Sequence, residues 1–410
     1  MRNTHDRRFP LSAWIAAWLV SLTPTPIALA HEKTPPWDQL SLDATPAMEQ
    51  ADGRQVKGVR AIYFTSEDYQ GKPTRVFAYY GVPEGASAEK PVPGVVCVHG
   101  GGGTAYSEWV RRWNQEGFAA IAVDTSGNIP AAVEEGDSEQ RRHDFSGPPP
   151  NGFDQAAAPL TDQCPYHAVA AIVHGNSLLR SFPEVDAEKI GVTGISWGGF
   201  LTSMAVGLDP RFKFAIPVYG CGFVHEGTSW NQLVDDYGRD RWVALWDPSS
   251  HLPRAKMPML WVNGTNDGHY HLPLFQKSYR LPTGPRSLAI RVRMEHHHPA
   301  GWAPPEIYAF AKANVGLGKP LVEVGAVETS NRQASAAVRA PEGIDIRSAE
   351  VNLTVDDGPW IDRHWNTVAA AIDATTGRVV AQLPADATAC YFNVIDSRGL
   401  ISSSEHRELR

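Results

Sequence analysis

Only four of the chain's 410 residues are cysteine. Cys97 sits inside an apolar run and is expected as a buried free thiol. Cys164 and Cys221 are the one pair with a case for a bridge, and the sequence does not establish it. Basic residues are outnumbered: 37 Lys and Arg face 45 Asp and Glu, for a formal net charge of -8. A polyanion-binding surface is therefore not expected, and nucleic acid is excluded as a partner. No apolar run is long enough to span a membrane, since the stretch Leu11–Leu22 is short and ends abruptly. The chain has no convincing internal repeat and no dedicated metal-ligand spacing, so neither metal nor cofactor is expected.

What is present begins with an export signal. Arg2, Arg7 and Arg8 precede the apolar run, and Ala28-Leu29-Ala30 follows it. Residues 1–30 thus read as a secretory signal cleaved after Ala30, giving an exported (periplasmic or extracellular) protein with no membrane partner after cleavage. Residues 31–58 read as an arm or linker.

From residue 59 to 318, buried-looking strands alternate with helical patterns. Val59–Phe64 and Thr74–Tyr80 open the domain as strands. Val92–Val98, Phe118–Val123, the apolar run from Ile190 that Val185-Asp186 leads into, Phe212–Tyr219, Met257–Val262 and Leu288–Met294 follow. Helical spacing is predicted after Ser107, over His167–Arg180, Phe200–Leu208, Leu272–Arg280 and Pro304–Asn314. This order argues for an α/β fold, a mostly parallel central sheet flanked by helices. Ile129–Pro165, charged and rich in Gly and Pro, reads as a functional loop or lid. Beyond Gly318 the helical period stops. Six short runs between Val322 and Val394 predict a small C-terminal β-sandwich module over residues 319–410.

Chemistry gathers at the carboxyl ends of the predicted strands, where such sheets bind ligands. Gly194-Ile195-Ser196-Trp197-Gly198-Gly199 ends one strand and opens a helix, the pattern of a nucleophile elbow with Ser196 exposed on the turn. A serine needs a base, and the base needs an orienting acid. Asp267 follows Gly264-Thr265-Asn266 after the next strand but one, with Glu226 as a weaker candidate acid. His296, His297 and His298 follow the last strand. In extended chain His296 and His298 share a face; His296 is preferred as base from its loop position, with His298 second. A metal site using these with His269 and His271 is the alternative. The run His99-Gly100-Gly101-Gly102-Gly103 lets backbone approach an oxyanion, so Gly101 or Gly102 supplies one donor and Trp197, the residue after the nucleophile, the other.

The segments Val98–Gly102, Val185-Asp186, Gly194–Gly199 and Gly264–Asp267 together resemble the α/β-hydrolase superfamily, and within it the dienelactone hydrolase, prolyl oligopeptidase and acetyl xylan esterase-like branch. The resemblance covers roughly residues 59–318 and implies a serine hydrolase working through an acyl-enzyme. Two features depart from it: the histidine triplet, where many relatives show one histidine, and the C-terminal module. The favoured expectation is an exported carboxylic-ester hydrolase, acetyl esterase-like, acting on a small-molecule or polysaccharide ester. Trp109, Trp113, Trp230, Trp242, Trp246 and Trp302 on or near site loops offer sugar-stacking faces or ordinary core packing. The alternatives are a prolyl oligopeptidase-type peptidase, though residues 31–58 leave no room for the propeller such enzymes carry, and a non-catalytic binding protein on the same fold.

Overall fold

The computed structural model describes residues 36–42, 44–130, 140–150, 153–227 and 230–409. The expected signal at 1–30 lies outside the described residues, as do 131–139 and 151–152 of the expected lid. The described residues form one compact unit. No helix among the described residues is long and apolar enough to cross a membrane.

The central sheet has nine strands: β1 (Met48–Gln50), β2 (Arg60–Tyr69), β3 (Lys72–Gly81), β4 (Val92–Val98), β5 (Ala119–Val123), β8 (Val185–Ile195), β9 (Ala215–Val218), β10 (Met259–Gly264) and β11 (Arg286–Arg291). A separate ribbon pairs β6 (Asn128–Pro130) with β7 (Gln140–Arg142). The order in the sheet is β1-β2-β3-β5-β4-β8-β9-β10-β11. From β5 to β11 every pairing is parallel, and β1, β2 and β3 extend that sheet antiparallel. β1 falls within the stretch read as an arm.

The parallel strands β4, β5 and β9 are apolar along their length because both faces are covered. Side chains alternate across a strand, and here each parity feeds a different core. Val96 and Val98 of β4, Ile121 and Val123 of β5, and Met259 and Trp261 of β10 join the core shared with helices α2 (Cys164–Ser181), α3 (Trp197–Ala205) and α6 (Leu272–Tyr279). Val95 and Cys97, Ala120 and Ala122, Leu260 and Val262 join the opposite core, with α1 (Ser107–Gln115) and α8 (Pro305–Asn314). Short helices α4 (Asn231–Tyr237) and α5 (Arg239–Trp246) fill the segment after β9, and α7 (His298–Trp302) precedes α8.

The C-terminal module has nine strands: β12 (Glu323–Val324), β13 (Glu328–Ser330), β14 (Gln333–Arg339), β15 (Ile346–Thr354), β16 (Asn366–Asp373), β17 (Arg378–Gln382), β18 (Ala389–Asp396), β19 (Ile401–Ser403) and β20 (Arg407–Glu408). The expected sandwich takes the form of one antiparallel ladder, β12-β14-β17-β16-β15-β18-β19, whose ends meet so that it curls like a barrel around Val351, Leu353, Val379 and Phe392.

This module covers the edge strand β11. The Ser403 hydroxyl accepts from the Ile290 amide at 2.7 Å, and Asn393 donates to the Ile290 carbonyl at 3.2 Å. Glu306 of α8, fully buried, accepts from Arg291 at 2.6 Å and from the Ile401 amide at 2.7 Å. An unpaired sheet edge is thus closed by side chains of the second module.

Candidate active site

At the end of β8 the chain turns into α3 within one residue. Ser196 occupies that turn with φ 58° and ψ -119°, a region costly for any residue with a Cβ. Its amide donates to the Val218 carbonyl at 3.0 Å, which holds the strained residue to β9. Glycine is required on either side. A Cβ on Gly194 would collide with the Gly198 carbonyl, and one on Gly198 with the Val98 carbonyl.

Asp267 and His296 arrive from the loops after β10 and β11. His296 Nε2 lies 2.7 Å from Ser196 Oγ, and its Nδ1 lies 2.5 Å from Asp267 Oδ2. With Nδ1 protonated and donating to the carboxylate, Nε2 is left to accept the serine proton. Asp267 is 3% exposed, and its other oxygen accepts from the amides of His269 at 2.9 Å and Tyr270 at 2.7 Å. Both carboxylate oxygens are therefore used, and the acid cannot swing away cheaply. Tyr219 packs its ring against His296, with centroids 4.3 Å apart, and its hydroxyl donates to the His297 carbonyl at 2.5 Å. Burial, and then the Asp267 charge, push that phenol well above its ordinary range, so it stays a neutral donor.

The histidine triplet does not stay extended. His297 is the N-cap of α7, accepting from the Ala300 amide at 3.2 Å, and the helix starts at His298. His296 and His298 consequently have different tasks, and His298, the second choice as base, is not hydrogen-bonded to Ser196. Its Nε2 accepts from the Gly100 amide at 2.9 Å. Burial, followed by the neighbouring histidines 99, 296 and 297, lowers its pKa to about 3, so it remains the neutral acceptor that bond requires.

Gly101 lies beside Trp197: a Cβ there would sit 3.7 Å from the Trp197 Cβ, whereas Gly102, at φ +71°, faces open space. The Trp197 amide opens α3 and has no acceptor within the helix. Of the two glycines expected as donors, Gly101 is thus the one beside Trp197. Gly102 serves instead as an anchor, its carbonyl accepting from Gln140 of β7, so part of the expected lid is fastened to the glycine turn. Buried His99 braces the turn from below, accepting from the Thr125 amide at 2.9 Å.

Other expectations are corrected. Glu226 forms an ion pair with Lys277 and takes no part in the triad. His271 bonds the Asp267 carbonyl at 2.8 Å, and among the described residues no three His, Cys, Asp or Glu are gathered to share an ion. Cys164 and Cys221 are buried free thiols, as are Cys97 and Cys390. Trp109, Trp113, Trp242, Trp246 and Trp302 are buried in the cores. Trp230 is the exception: it is half-buried, lies edge-on to Trp197 at 5.8 Å and stacks with His269 at 6.0 Å. His269, partly buried, has its pKa lowered by that burial and then by His296.

Residues 38–225 match the acetyl xylan esterase family. The solved acetyl xylan esterase 1 from Thermoanaerobacterium sp. JW/SL YS485 is 17% identical, covers 64% of this chain and 87% of its own, and superposes with a TM-score of 0.50. The acetyl xylan esterase from Paenibacillus sp. R4 is 20% identical, with 64% and 88% coverage and a TM-score of 0.49. Among curated proteins, the uncharacterised peptidase YuxL of Bacillus subtilis (strain 168) is 32% identical over 103 residues, which is 22% of this chain and 15% of that protein. The chain therefore spans only a small part of that relative's length.

Proposed function

We propose that this chain, whose fold is that of the α/β-hydrolases, cleaves carboxylic esters through an acyl-enzyme on Ser196 and removes acetyl groups from a polysaccharide such as xylan. The observation that carries the reading is the unbroken hydrogen-bond relay from Ser196 through His296 to Asp267.

The steps follow from that relay. Ser196 Oγ attacks the ester carbonyl carbon while His296 Nε2 takes its proton. The negative charge on the carbonyl oxygen meets the amides of Trp197 and Gly101, at the start of a helix whose dipole favours it. The carbon–oxygen bond to the alcohol breaks, and His296 returns the proton to that leaving oxygen. Water then attacks the acyl-serine, giving one proton to His296. Collapse releases the carboxylic acid and restores the Ser196 hydroxyl. The half-buried faces of Trp197 and Trp230 are suited to a sugar ring.

Hydrolysis of p-nitrophenyl acetate and release of acetate from acetylated xylo-oligosaccharides test the reading. Both are expected to vanish in Ser196→Ala. Wild-type protein inactive on every ester of a panel that includes feruloyl and lipid esters would overturn it. The peptidase reading draws on the YuxL relative, which is described as a peptidase; amide-linked reporters cleaved faster than esters would favour it. Export through residues 1–30 is part of the proposal, and exported protein should begin at His31.

A further inference from the structure

The acid and the base of the triad ride on separate loops, and both loops reach the same backbone carbonyl of the C-terminal module. Asn266, next to the acid, has its side-chain nitrogen 2.7 Å from the Arg363 carbonyl, 2.9 Å from that of Ile361 and 3.3 Å from that of Trp360. Arg293, three residues before His296, donates to the Arg363 carbonyl at 3.4 Å. The two loops are also tied directly: the Arg293 amide donates to the Thr265 hydroxyl at 3.0 Å, and that hydroxyl donates to Asn266 Oδ1 at 2.6 Å.

The segment offering these carbonyls, between β15 and β16, is internally braced. The His364 amide donates to Asp356 at 2.6 Å, and the Arg363 Nε–H to the Gly358 carbonyl at 2.9 Å. The Arg363 guanidinium lies 3.8 Å from the Trp360 ring centroid. Beneath it Trp365 and Tyr391 pack with Leu272, the first residue of α6, and Ile290 of β11. The same cluster thus supports the elements flanking each catalytic loop.

Resting on the serine-hydrolase reading, we propose that this segment, Asp356–Trp365, is a positioning element of the active site: through Asn266 and Arg293 it fixes the spacing of Asp267 from His296. Asp267 is already held within its own loop by two amides, so what remains to be set is one loop against the other. Reacting groups misplaced by about 1 Å lose on the order of a hundredfold in rate, which is the scale on which such a clamp acts. Neither Asn266 nor Arg293 is a catalytic residue; they act through the pair they position.

The test is the rate at which a fluorophosphonate labels Ser196 in the full chain, with kcat and KM on p-nitrophenyl acetate, for wild type, Asn266→Ala and the near-isosteric Asn266→Asp. The aspartate keeps the shape but cannot donate. Both variants are expected to label roughly ten- to a hundredfold more slowly, with kcat reduced in parallel and KM within about twofold. Labelling amplitude counts folded sites separately from the rate. A wild-type rate in both variants, or reduced amplitude at an unchanged rate, would overturn the clamp. Wild-type protein that does not label at Ser196 would instead overturn the serine-hydrolase reading beneath it.

Discussion

Ser196 and its two partners are held by different parts of the molecule and in different ways. The serine is fixed from inside the sheet, by glycine contacts between β4, β8 and α3 and by one amide bond to β9. Asp267 and His296 stand on loops after strands β10 and β11, and those loops lean on side-chain hydrogen bonds to a segment 97 residues beyond Asn266 and 70 beyond Arg293. Backbone close packing of the first kind tolerates nothing: a single added carbon meets a carbonyl that cannot move. Hydrogen bonds of the second kind are worth about 1 kcal/mol each and fail by degrees. The nucleophile side should thus respond to mutation through folding, and the acid–base side through rate.

The strongest contrast comes from Gly198→Ala, whose new methyl would strike the Val98 and His99 carbonyls. Backbone clashes exceed ordinary overpacking, so we expect a loss of more than about 3 kcal/mol in denaturant unfolding. An unfolding midpoint near wild type would refute the view that the elbow is locked by contact. The next largest effect is kinetic. His298→Ala removes the acceptor of the Gly100 amide and loosens the turn that carries the Gly101 donor. Loss of an oxyanion donor costs about 10²–10³ in kcat, and displacing one should cost somewhat less, about 10–10². A KM change with intact kcat would instead assign His298 to substrate binding.

The same division explains what could be read without coordinates. The elbow was legible because its constraints are local: small residues around Ser196 and an apolar strand before it. The glycine run after β4 was legible for the same reason, whereas the choice of Asp267 and a histidine after Ser196 came from the chain order that nucleophile-elbow folds share. The histidine triplet was only half legible. Strand-like alternation puts His296 and His298 on one face, but His297 caps α7 and turns the chain, sending one imidazole to Ser196 and the other to Gly100. That five-residue helix left no periodic signal. Most of the tryptophans near the site loops turned their rings into the cores, a choice made by packing that the loop position does not reveal. The clamp on Asn266 was invisible, since no pattern near Asn266 points to carbonyls at 360–363.

Two smaller effects refine the comparison on the side of the C-terminal module. His406 is buried there beside Trp360, with neither ring nitrogen hydrogen-bonded, and burial lowers its pKa to about 3. The unfolded chain takes up a proton near pH 6.5 that the folded chain refuses until about pH 3. Its contribution is therefore complete above pH 6.5 and is lost as pH falls toward 3. His406→Leu should flatten the acid side of the stability curve by about 1.4 kcal/mol per pH unit between pH 6 and 4. An unchanged slope would mean that His406 is protonated in the folded protein.

Gly268→Ala is the mildest test and the most direct partner to Gly198→Ala. Here the added carbon would meet the Cδ1 of Ile361 at 2.9 Å, the free end of a side chain that is 47% exposed. A flexible, exposed neighbour can rotate aside, so we expect less than about 1 kcal/mol of destabilisation. Yet Gly268 follows Asp267, and Ile361 belongs to the clamping segment. If that segment positions the acid, moving Ile361 should slow Ser196 labelling by a few-fold even though the unfolding midpoint scarcely shifts. A rate and a midpoint both unchanged would mean that the contact at Gly268 is incidental, leaving the hydrogen bonds of Asn266 and Arg293 as the working part of the clamp.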